Sequence, residues 1–265
     1  MKRKLGINAD CVRTQSVISN LDIIKETGFD SFFTGSRLTE GIGQIRKKAD
    51  ELGLCYEFLH APFDGINNMW LAGLGYREVM NGMKLAIDNA AEYGIPAIVA
   101  HLSSGWKAPE ITELGLSRFD ELVMYADDKN ITIAFENLRK TGNLAYFVDR
   151  YENCNNVKYC FDCGHEHCYT KSVCWPDIFT FELYCTHIHD NHGRGWEKNV
   201  DPDEHLLPFD GNYDYAKMMR KLDEYNYEGS LMLEVFNTAT EEYKQLTPAQ
   251  FIQTSYDRLG KISEM

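Results

Sequence analysis

The eight histidines of this 265-residue chain are unevenly placed. Each is predicted to be the last residue of a short β-rich run or to lie in the loop after it, and none lies in a predicted helix. They are His60, His101, His165, His167, His187, His189, His192 and His205. Imidazoles that converge with carboxylates form the mixed nitrogen and oxygen set that suits Zn²⁺, Mn²⁺ or Fe²⁺. The histidines therefore point to metal chemistry, provided that the strand ends meet.

Three carboxylates, Glu136, Asp162 and Glu234, end or nearly end β-rich runs of their own. In IAFE and LMLEV the acid follows apolar residues, so it is predicted to point into a buried interior. A buried carboxylate is costly unless it is paired or binds a metal. A lone strand-end histidine is more often structural, but histidines together with these acids favour a metal site.

Short β-rich runs alternate with amphipathic segments along the whole sequence. The predicted strands span residues 4–9, 31–34, 55–60, 97–101, 132–136, 157–162, 184–189 and 230–235. The predicted helices include residues 17–26, 41–52, 78–93, 114–129, 144–151, 215–225 and 248–259. Gly28, Gly53, Gly94 and Asn130 follow helical segments, where a left-handed C-cap is expected.

This alternation predicts parallel βαβ units, and eight of them predict an α/β protein with a (β/α)8 TIM barrel. A doubly wound sheet would normally carry a G-x-G-x-x-G turn after its first strand, and the sequence there reads NADCVRTQS. No linker or low-complexity segment divides the chain. We therefore expect a single domain over residues 1–265, with all eight strand ends on the face where barrel enzymes keep their sites.

Composition narrows the class of protein. The formal net charge of −13 disfavours nucleic acid as a partner, because such binding depends on clustered lysines and arginines. No apolar run is long enough for a membrane span, and no apolar segment follows the basic N-terminus as in a secretory signal. A cytoplasmic protein is expected. The scattered cysteines, including Cys160 and Cys163, are predicted to be reduced thiols, those two on a strand and its following loop.

The strand-end residues resemble those of the xylose-isomerase-like TIM-barrel superfamily, which includes sugar-phosphate isomerase/epimerase-type proteins, ketose 3-epimerases and AP endonucleases of the endonuclease IV type. The resemblance covers nearly the whole chain and is most specific from the third strand to the eighth. Its motifs are His60 in LHAPF, His101 in VAHLSSG, Glu136 in FENL, Asp162 and His165 in FDCGH, His187 and His189 in HIHDN, Asp203 and His205 in DEHLLPFDG, and Glu234 in LEVF. The chain departs from these relatives at Phe209-Asp210, where they often have Pro-Gly-Glu-type residues.

The resemblance to the epimerases implies one divalent ion held by Glu136, Asp162, His187 and Glu234. Glu136 and Glu234 would also be the catalytic acid and base, in proton transfer through a metal-stabilised enediolate of a sugar or sugar phosphate. The predicted substrate contacts are His165, Arg194 and His189. Zinc is the first choice of metal, with manganese or magnesium as alternatives.

The resemblance to the endonucleases implies instead three zinc ions and a phosphodiesterase that cleaves DNA at abasic sites. All nine of their ligand positions are filled, because His60, His101, His165, Asp203 and His205 join the four residues above. One to three ions are therefore expected. The −13 charge and the HIHDN and DEHLLPFDG motifs favour a small carbohydrate substrate over DNA. A barrel that binds a metabolite without catalysis is a third alternative.

Further features are assigned to the walls of the site. The irregular stretch of residues 191–214 is predicted to be a lid or a site wall, because loops of this length in a compact domain are usually functional or disordered. Phe63, Trp106 and Trp196 are candidates to line the pocket, although a single aromatic residue of this kind is more often plain packing. Exposed helices around a barrel often form dimer or tetramer contacts, so a homo-oligomer stays open.

Overall fold

The computed structural model describes residues 3–38, 41–170, 173, 177, 183–195 and 202–265. They form one parallel eight-stranded sheet whose strands lie side by side in chain order, except that β8 pairs with β1. The strands are β1 (Leu5–Asn8), β2 (Ser31–Gly35), β3 (Cys55–His60), β4 (Ala97–Ala100), β5 (Thr132–Glu136), β6 (Val157–Asp162), β7 (Leu183–His187) and β8 (Leu231–Leu233). A parallel bridge between Ile188 and Leu233 closes the sheet. The predicted (β/α)8 TIM barrel is confirmed.

The helices between the strands agree with the amphipathic segments of the sequence. They are α1 (Val17–Thr27), α2 (Ile42–Leu52), α3 (Tyr76–Glu92), α4 (Glu113–Asp128), α5 (Thr141–Arg150), α6 (Cys163–Tyr169), α7 (Tyr215–Glu224), α8 (Glu241–Lys244) and α9 (Pro248–Ser263). Gly28, Gly53, Gly94 and Asn130 all have positive φ, which confirms the predicted left-handed helix ends. None of the described helices is long and apolar enough to cross a membrane.

Two apolar layers hold these elements. The outer layer packs helices on strands and contains Trp70, Phe119 and Phe147, whose rings meet at tilted or edge-on angles. The inner layer fills the barrel and includes Phe33 and Phe58, stacked with ring centroids 4.7 Å apart. The inner layer closes the barrel below the strand ends, so the polar strand-end residues sit on a packed floor.

Strand register places the acids and histidines at one height. Asp162 of β6 pairs with His187 of β7, and Glu136 of β5 pairs with Cys160. The closing bridge extends this row to Glu234, whose backbone N–H donates to the Ile188 carbonyl at 3.0 Å. The carboxyl ends of the strands therefore meet around one point, as the alternation predicted.

The structure corrects one prediction about the histidines. His165 and His167 lie within the short helix α6, not in a loop, and Cys163 begins that helix. The cause is Asp162, whose side chain accepts a hydrogen bond from the His165 backbone N–H at 2.6 Å and so caps the helix. The prediction of reduced thiols is consistent with the structure, in which the cysteines of the described residues are free.

Candidate metal centre

Glu136, at the end of β5, lies at the centre of the polar cluster and is only 1% exposed. Its Oε2 lies 3.3 Å from His60 Nε2 and 3.0 Å from His101 Nε2. Its Oε1 lies 3.1 Å from His165 Nδ1 and 3.3 Å from His187 Nδ1. One buried carboxylate thus meets imidazoles that follow four different strands.

Asp162, at the end of β6, is held from two sides. Its backbone N–H donates to Asn137 Oδ1 at 2.7 Å, and Asn137 Nδ2 returns a bond to the Asp162 carbonyl. Its carboxylate caps α6 and lies 3.2 Å from His189 Nε2. The cap that Asp162 forms on α6 thus goes with the position of the His165 ring against Glu136, while Asp162 itself contacts the His189 ring from the segment after β7.

The loop after β7 delivers Asp203 and His205 to the same cluster. Asp190 pairs in antiparallel fashion with Leu206 of this loop, which fixes it against the strand end. Asp203 then lies 3.1 Å from His165 Nε2 and 3.5 Å from His205 Nε2. His205 has positive φ and stacks on His189 at 4.0 Å. The described part of residues 191–214 thus forms a wall of the site; residues 196–201 lie outside the described residues.

The nitrogen and oxygen atoms of these residues fall into four groups, each with its members within 4.8 Å of one another. The groups are His60, His101 and Glu136; Glu136, Asp162, His187 and Glu234; Asp162, His165 and His189; and His189, Asp203 and His205. Glu136 belongs to the first two groups, so it could bridge two ions. All nine sequence-predicted ligands therefore lie together, with His189 as a tenth member.

Imidazoles are the charged partners of Glu136, Asp162 and Glu234 within the described residues. No lysine or arginine of the described chain forms an ion pair with Glu136, Asp162 or Glu234. Burial disfavours ionisation of Glu136, but His187 and His101 outweigh it and hold the pKa of that carboxyl well below its usual range. Burial likewise opposes the charge on His187, yet Glu234 and Glu136 raise its pKa to about 10.

Several buried polar atoms fit a metal ion better than they fit this arrangement. Within the described residues, Asp162 Oδ2, His187 Nε2 and His189 Nδ1 are buried without a hydrogen-bond partner. Such atoms cost free energy unless something binds them. A cluster of anionic oxygens and imidazole nitrogens with unsatisfied atoms is the donor set of a divalent transition metal. The residues of the cluster therefore fit a divalent metal ion.

A cavity of about 250 Å³ opens beside the cluster, on the side of β1, β2, β3 and β8. Its lining includes His60, Glu234, Phe63 and Phe236, so Glu234 faces open space as well as the other ligands. Phe63 stacks on His101 at 4.3 Å. The prediction that Phe63 lines the pocket is thus supported by its position.

The other residues discussed as substrate contacts or pocket walls, Trp106, Arg194 and His189, do not line this cavity. Trp106, after β4, is half exposed, and the Arg194 guanidinium lies 4.6 Å from the centre of its ring. Trp196 lies outside the described residues. His189 is completely buried. His167 is hydrogen-bonded to Asn212 and His192 to Glu204. Both histidines lie outside the four ligand groups and hold the loop after β7 in place.

Three residues of the site were not found from the sequence. Asn137 ties β5 to β6, Asp190 binds the loop, and the hydroxyl of Tyr169 donates to Asp203 at 3.0 Å. Asn137 and Asp190 directly follow or neighbour predicted ligands, which is the only signal that could have marked them. Tyr169 has no such signal, because its role depends on where α6 ends.

Comparison with known proteins places the chain in a family. A family model described as a xylose isomerase-like TIM barrel matches residues 21–254. The uncharacterized protein MJ1311 of Methanocaldococcus jannaschii is 25% identical over 250 residues, which cover 87% of this chain and 83% of that protein.

Solved structures agree on the fold. IolI protein with a bound zinc atom aligns with a TM-score of 0.78 at 19% identity and covers 98% of each chain. An L-ribulose 3-epimerase aligns with a TM-score of 0.74 at 16% identity over 99% of this chain and 95% of that one. Sugar epimerases are thus among the proteins that share the fold. Because the family model spans most of the sequence, the chain belongs to the xylose isomerase-like TIM-barrel family.

Proposed function

We propose that the protein is a metal-dependent isomerase or epimerase of a sugar or sugar phosphate. The observation that carries this proposal is the pair Glu136 and Glu234, two carboxylates that share one ligand group, with Glu234 also lining an open cavity. Enolisation of a ketose needs a proton acceptor next to a site that stabilises an oxyanion. The epimerases among proteins of the same fold support the same chemistry.

The residues proposed to hold a divalent ion are Glu136, Asp162, His187 and Glu234, with zinc as first choice and manganese or magnesium as alternatives. A bound divalent ion supplies Lewis-acid stabilisation of negative charge on a substrate oxygen. His60, His101, His165, Asp203 and His205 complete the further groups and would accommodate one or two more ions. The zinc atom of IolI supports the proposal of a metal for this fold.

The chain's own residues would divide the proton transfer between them. One of Glu136 and Glu234 removes the proton from the carbon next to the carbonyl. In epimerisation the other returns a proton to the opposite face, and in isomerisation one carboxylate carries it to the adjacent carbon. The proposed contacts for substrate oxygens are Arg194, which is exposed, and the buried His165 and His189, which also belong to the ligand groups. Phe63 and Phe236 line the cavity.

A zinc-dependent phosphodiesterase of the AP-endonuclease type is the second candidate. The observation in its favour is that the ligand atoms of the described residues fall into groups around Glu136, around Asp162 and around Asp203, enough for three ions. The net charge of −13 opposes DNA as the substrate. A metabolite-binding barrel without catalysis is the remaining alternative, and the complete pair of carboxylates argues against it.

Solvent-deuterium exchange into a panel of ketoses and ketose phosphates tests the proposal. We expect exchange by the native protein and a loss of about 100-fold or more in Glu136→Gln, because a positioned base contributes that much. The matched control is Glu228→Gln, an exposed acid that precedes β8 at the opposite end of the barrel. Absence of exchange across the panel, with cleavage of an abasic-site oligonucleotide that Glu136→Gln abolishes, would establish the phosphodiesterase instead.

A further inference from the structure

Two arginines meet one tryptophan at the mouth of the barrel. The guanidinium carbons of Arg139 and Arg194 lie 5.1 Å and 4.6 Å from the centre of the Trp106 ring. The two cations are therefore within about one Debye length of each other, roughly 10 Å in 0.1 M salt. Two guanidinium groups against one aromatic ring place two positive charges side by side at this mouth.

These residues come from successive loops on the catalytic face. Trp106 follows β4, Arg139 follows β5, Tyr169 ends the helix after β6, and Arg194 follows β7. Four loops thus contribute to one cationic and aromatic surface, on the side of the centre away from the 250 Å³ cavity. In a chain of net charge −13, such a surface is a local exception to the overall field.

Contacts link this surface to the metal-ligand cluster. Arg139 Nη2 donates to the Tyr169 hydroxyl, and that hydroxyl donates to Asp203 Oδ2 at 3.0 Å. The Tyr169 ring stacks on His165 at 5.1 Å and lies under the Arg139 guanidinium at 3.7 Å. One aromatic ring therefore separates the Arg139 guanidinium from the ligand His165.

Arg194 is one of the exposed arginines that have no ion pair within the described chain, as is Arg13, which lies over Phe236 at 4.1 Å. Other arginines are paired with aspartates: Arg3 with Asp223, Arg37 with Asp64, Arg46 with Asp50, Arg150 with Asp120, and Arg258 with Asp210. An unpaired guanidinium held over an aromatic ring keeps its hydrogen-bond fork available to an oxyanion.

We propose that Arg139, Arg194 and Trp106 form a subsite for an anionic group on the substrate, a phosphate monoester or a carboxylate carried by the sugar. The inference rests on the proposed function for the reacting end of the molecule, which lies at Glu136 and Glu234. The planar Arg194 guanidinium binds either anion in bidentate fashion. Arg139, whose Nη2 is bonded to Tyr169, adds positive charge beside it, and the Trp106 ring lies against both guanidinium groups. The subsite would select charged sugars over neutral ones of the same carbon skeleton.

Direct binding of inorganic phosphate tests the subsite without any turnover. Calorimetric titration of the purified protein should give a dissociation constant that rises about 10-fold or more in Arg194→Gln and in Arg139→Gln, as loss of a charge-assisted contact predicts. Arg139→Lys should retain part of the binding. Arg220→Gln, a change at an exposed arginine of α7, should leave it unaltered. Arg194 belongs to none of the ligand groups, so its effect reports on the guanidinium and not on bound metal.

Matched substrates then identify the anion. Deuterium exchange is compared for ketoses, their phosphates and keto-sugar acids of equal chain length. We expect one charged class to be preferred, and Arg194→Gln to reduce that preference, measured as a ratio of kcat/KM, by about 10-fold or more, mainly through KM. Equal use of neutral and charged sugars, with phosphate binding unchanged in Arg194→Gln, would overturn the subsite.

The two proposals fail in different ways. If no sugar exchanges deuterium but phosphate binding still weakens in both arginine variants, the subsite stands and the isomerase or epimerase assignment fails. If neutral ketoses exchange and phosphate binding is indifferent to Arg194, the reaction stands and the subsite fails. Binding of an abasic oligonucleotide that depends on Arg194, with no discrimination among sugars, would show that this surface binds a nucleic-acid phosphate. That result would refute the proposal for a sugar anion.

Discussion

Gly164 leaves the space that the His189 ring occupies in the candidate metal centre. A Cβ atom at this position would lie 2.0 Å from His189 Cε1 and 2.4 Å from Nε2. The glycine after Cys163 is therefore needed so that the His189 ring can approach Asp162 from above α6.

Substitution of Gly164 by alanine should displace His189 and lower the free energy of unfolding by about 1–3 kcal/mol, the usual cost of overpacking. Gly142→Ala is the matched control, because a Cβ at that helical position meets nothing within 4 Å and alanine favours a helix. Denaturant unfolding measures both, and metal content by elemental analysis should fall in Gly164→Ala alone. Equal stability of the two variants would show that the ring can move freely.

The loop after β7 depends on a carboxylate whose role is to accept backbone hydrogen bonds. Asp190 Oδ2 accepts from the Phe209 N–H at 2.8 Å, and its Oδ1 accepts from the N–H groups of Tyr213 at 3.1 Å and Asn191 at 2.9 Å. Asp190 is 1% exposed. The Asp190 carboxylate therefore anchors the segment that carries Asp203 and His205.

Asp190→Ala should leave these buried N–H groups without acceptors and cost about 1–3 kcal/mol of stability. It should also weaken binding of the ion nearest Asp203 while leaving the group around Glu136 competent. Asp127→Ala, a change at an exposed acid of α4, serves as the control and should fall within about 0.5 kcal/mol of the native protein. A stoichiometric zinc titration measures how many ions each variant binds per chain. Unaltered stability and unaltered stoichiometry in Asp190→Ala would contradict the anchoring role.

Strands and long helices were predictable because their signals are local. Apolar runs bounded by Gly28, Gly53 and Gly94 define where each βα unit begins and ends. Helix α6 was missed because it spans seven residues with no apolar periodicity and depends on the Asp162 cap. The contacts of Asp190 and Arg139 were missed for another reason: they depend on which loops meet across the mouth, and residue types do not reveal that.

The whole barrel gathers its ligands from positions 60 to 234, so bound metal is expected to stabilise the entire fold and not one segment. A ligand at 100 times its dissociation constant stabilises the native state by about 2.7 kcal/mol. For a chain of this size that corresponds to about 5–10 °C in Tm.

Calorimetric scans of chelator-treated protein with and without added zinc measure this shift. Glu136→Gln should reduce the zinc-dependent part of the shift, because Glu136 contributes to two ligand groups. The exposed-site variant Glu228→Gln should keep it. Identical melting of the stripped and zinc-loaded native protein would argue against a structural contribution from metal.

The parallel bridge between Ile188 and Leu233, which closes the barrel, has a consequence for biosynthesis. It joins the seventh strand to the eighth and brings Glu234 beside His187, at 3.4 Å. Until the ribosome has added residue 234, the nascent chain holds Glu136, Asp162 and His187 without their fourth partner and without a closed wall. A metal ion held by all four of these residues could therefore be captured only after the bridge between Ile188 and Leu233 has formed. Chains released before that point should expose imidazoles and unpaired strand edges, which favour aggregation.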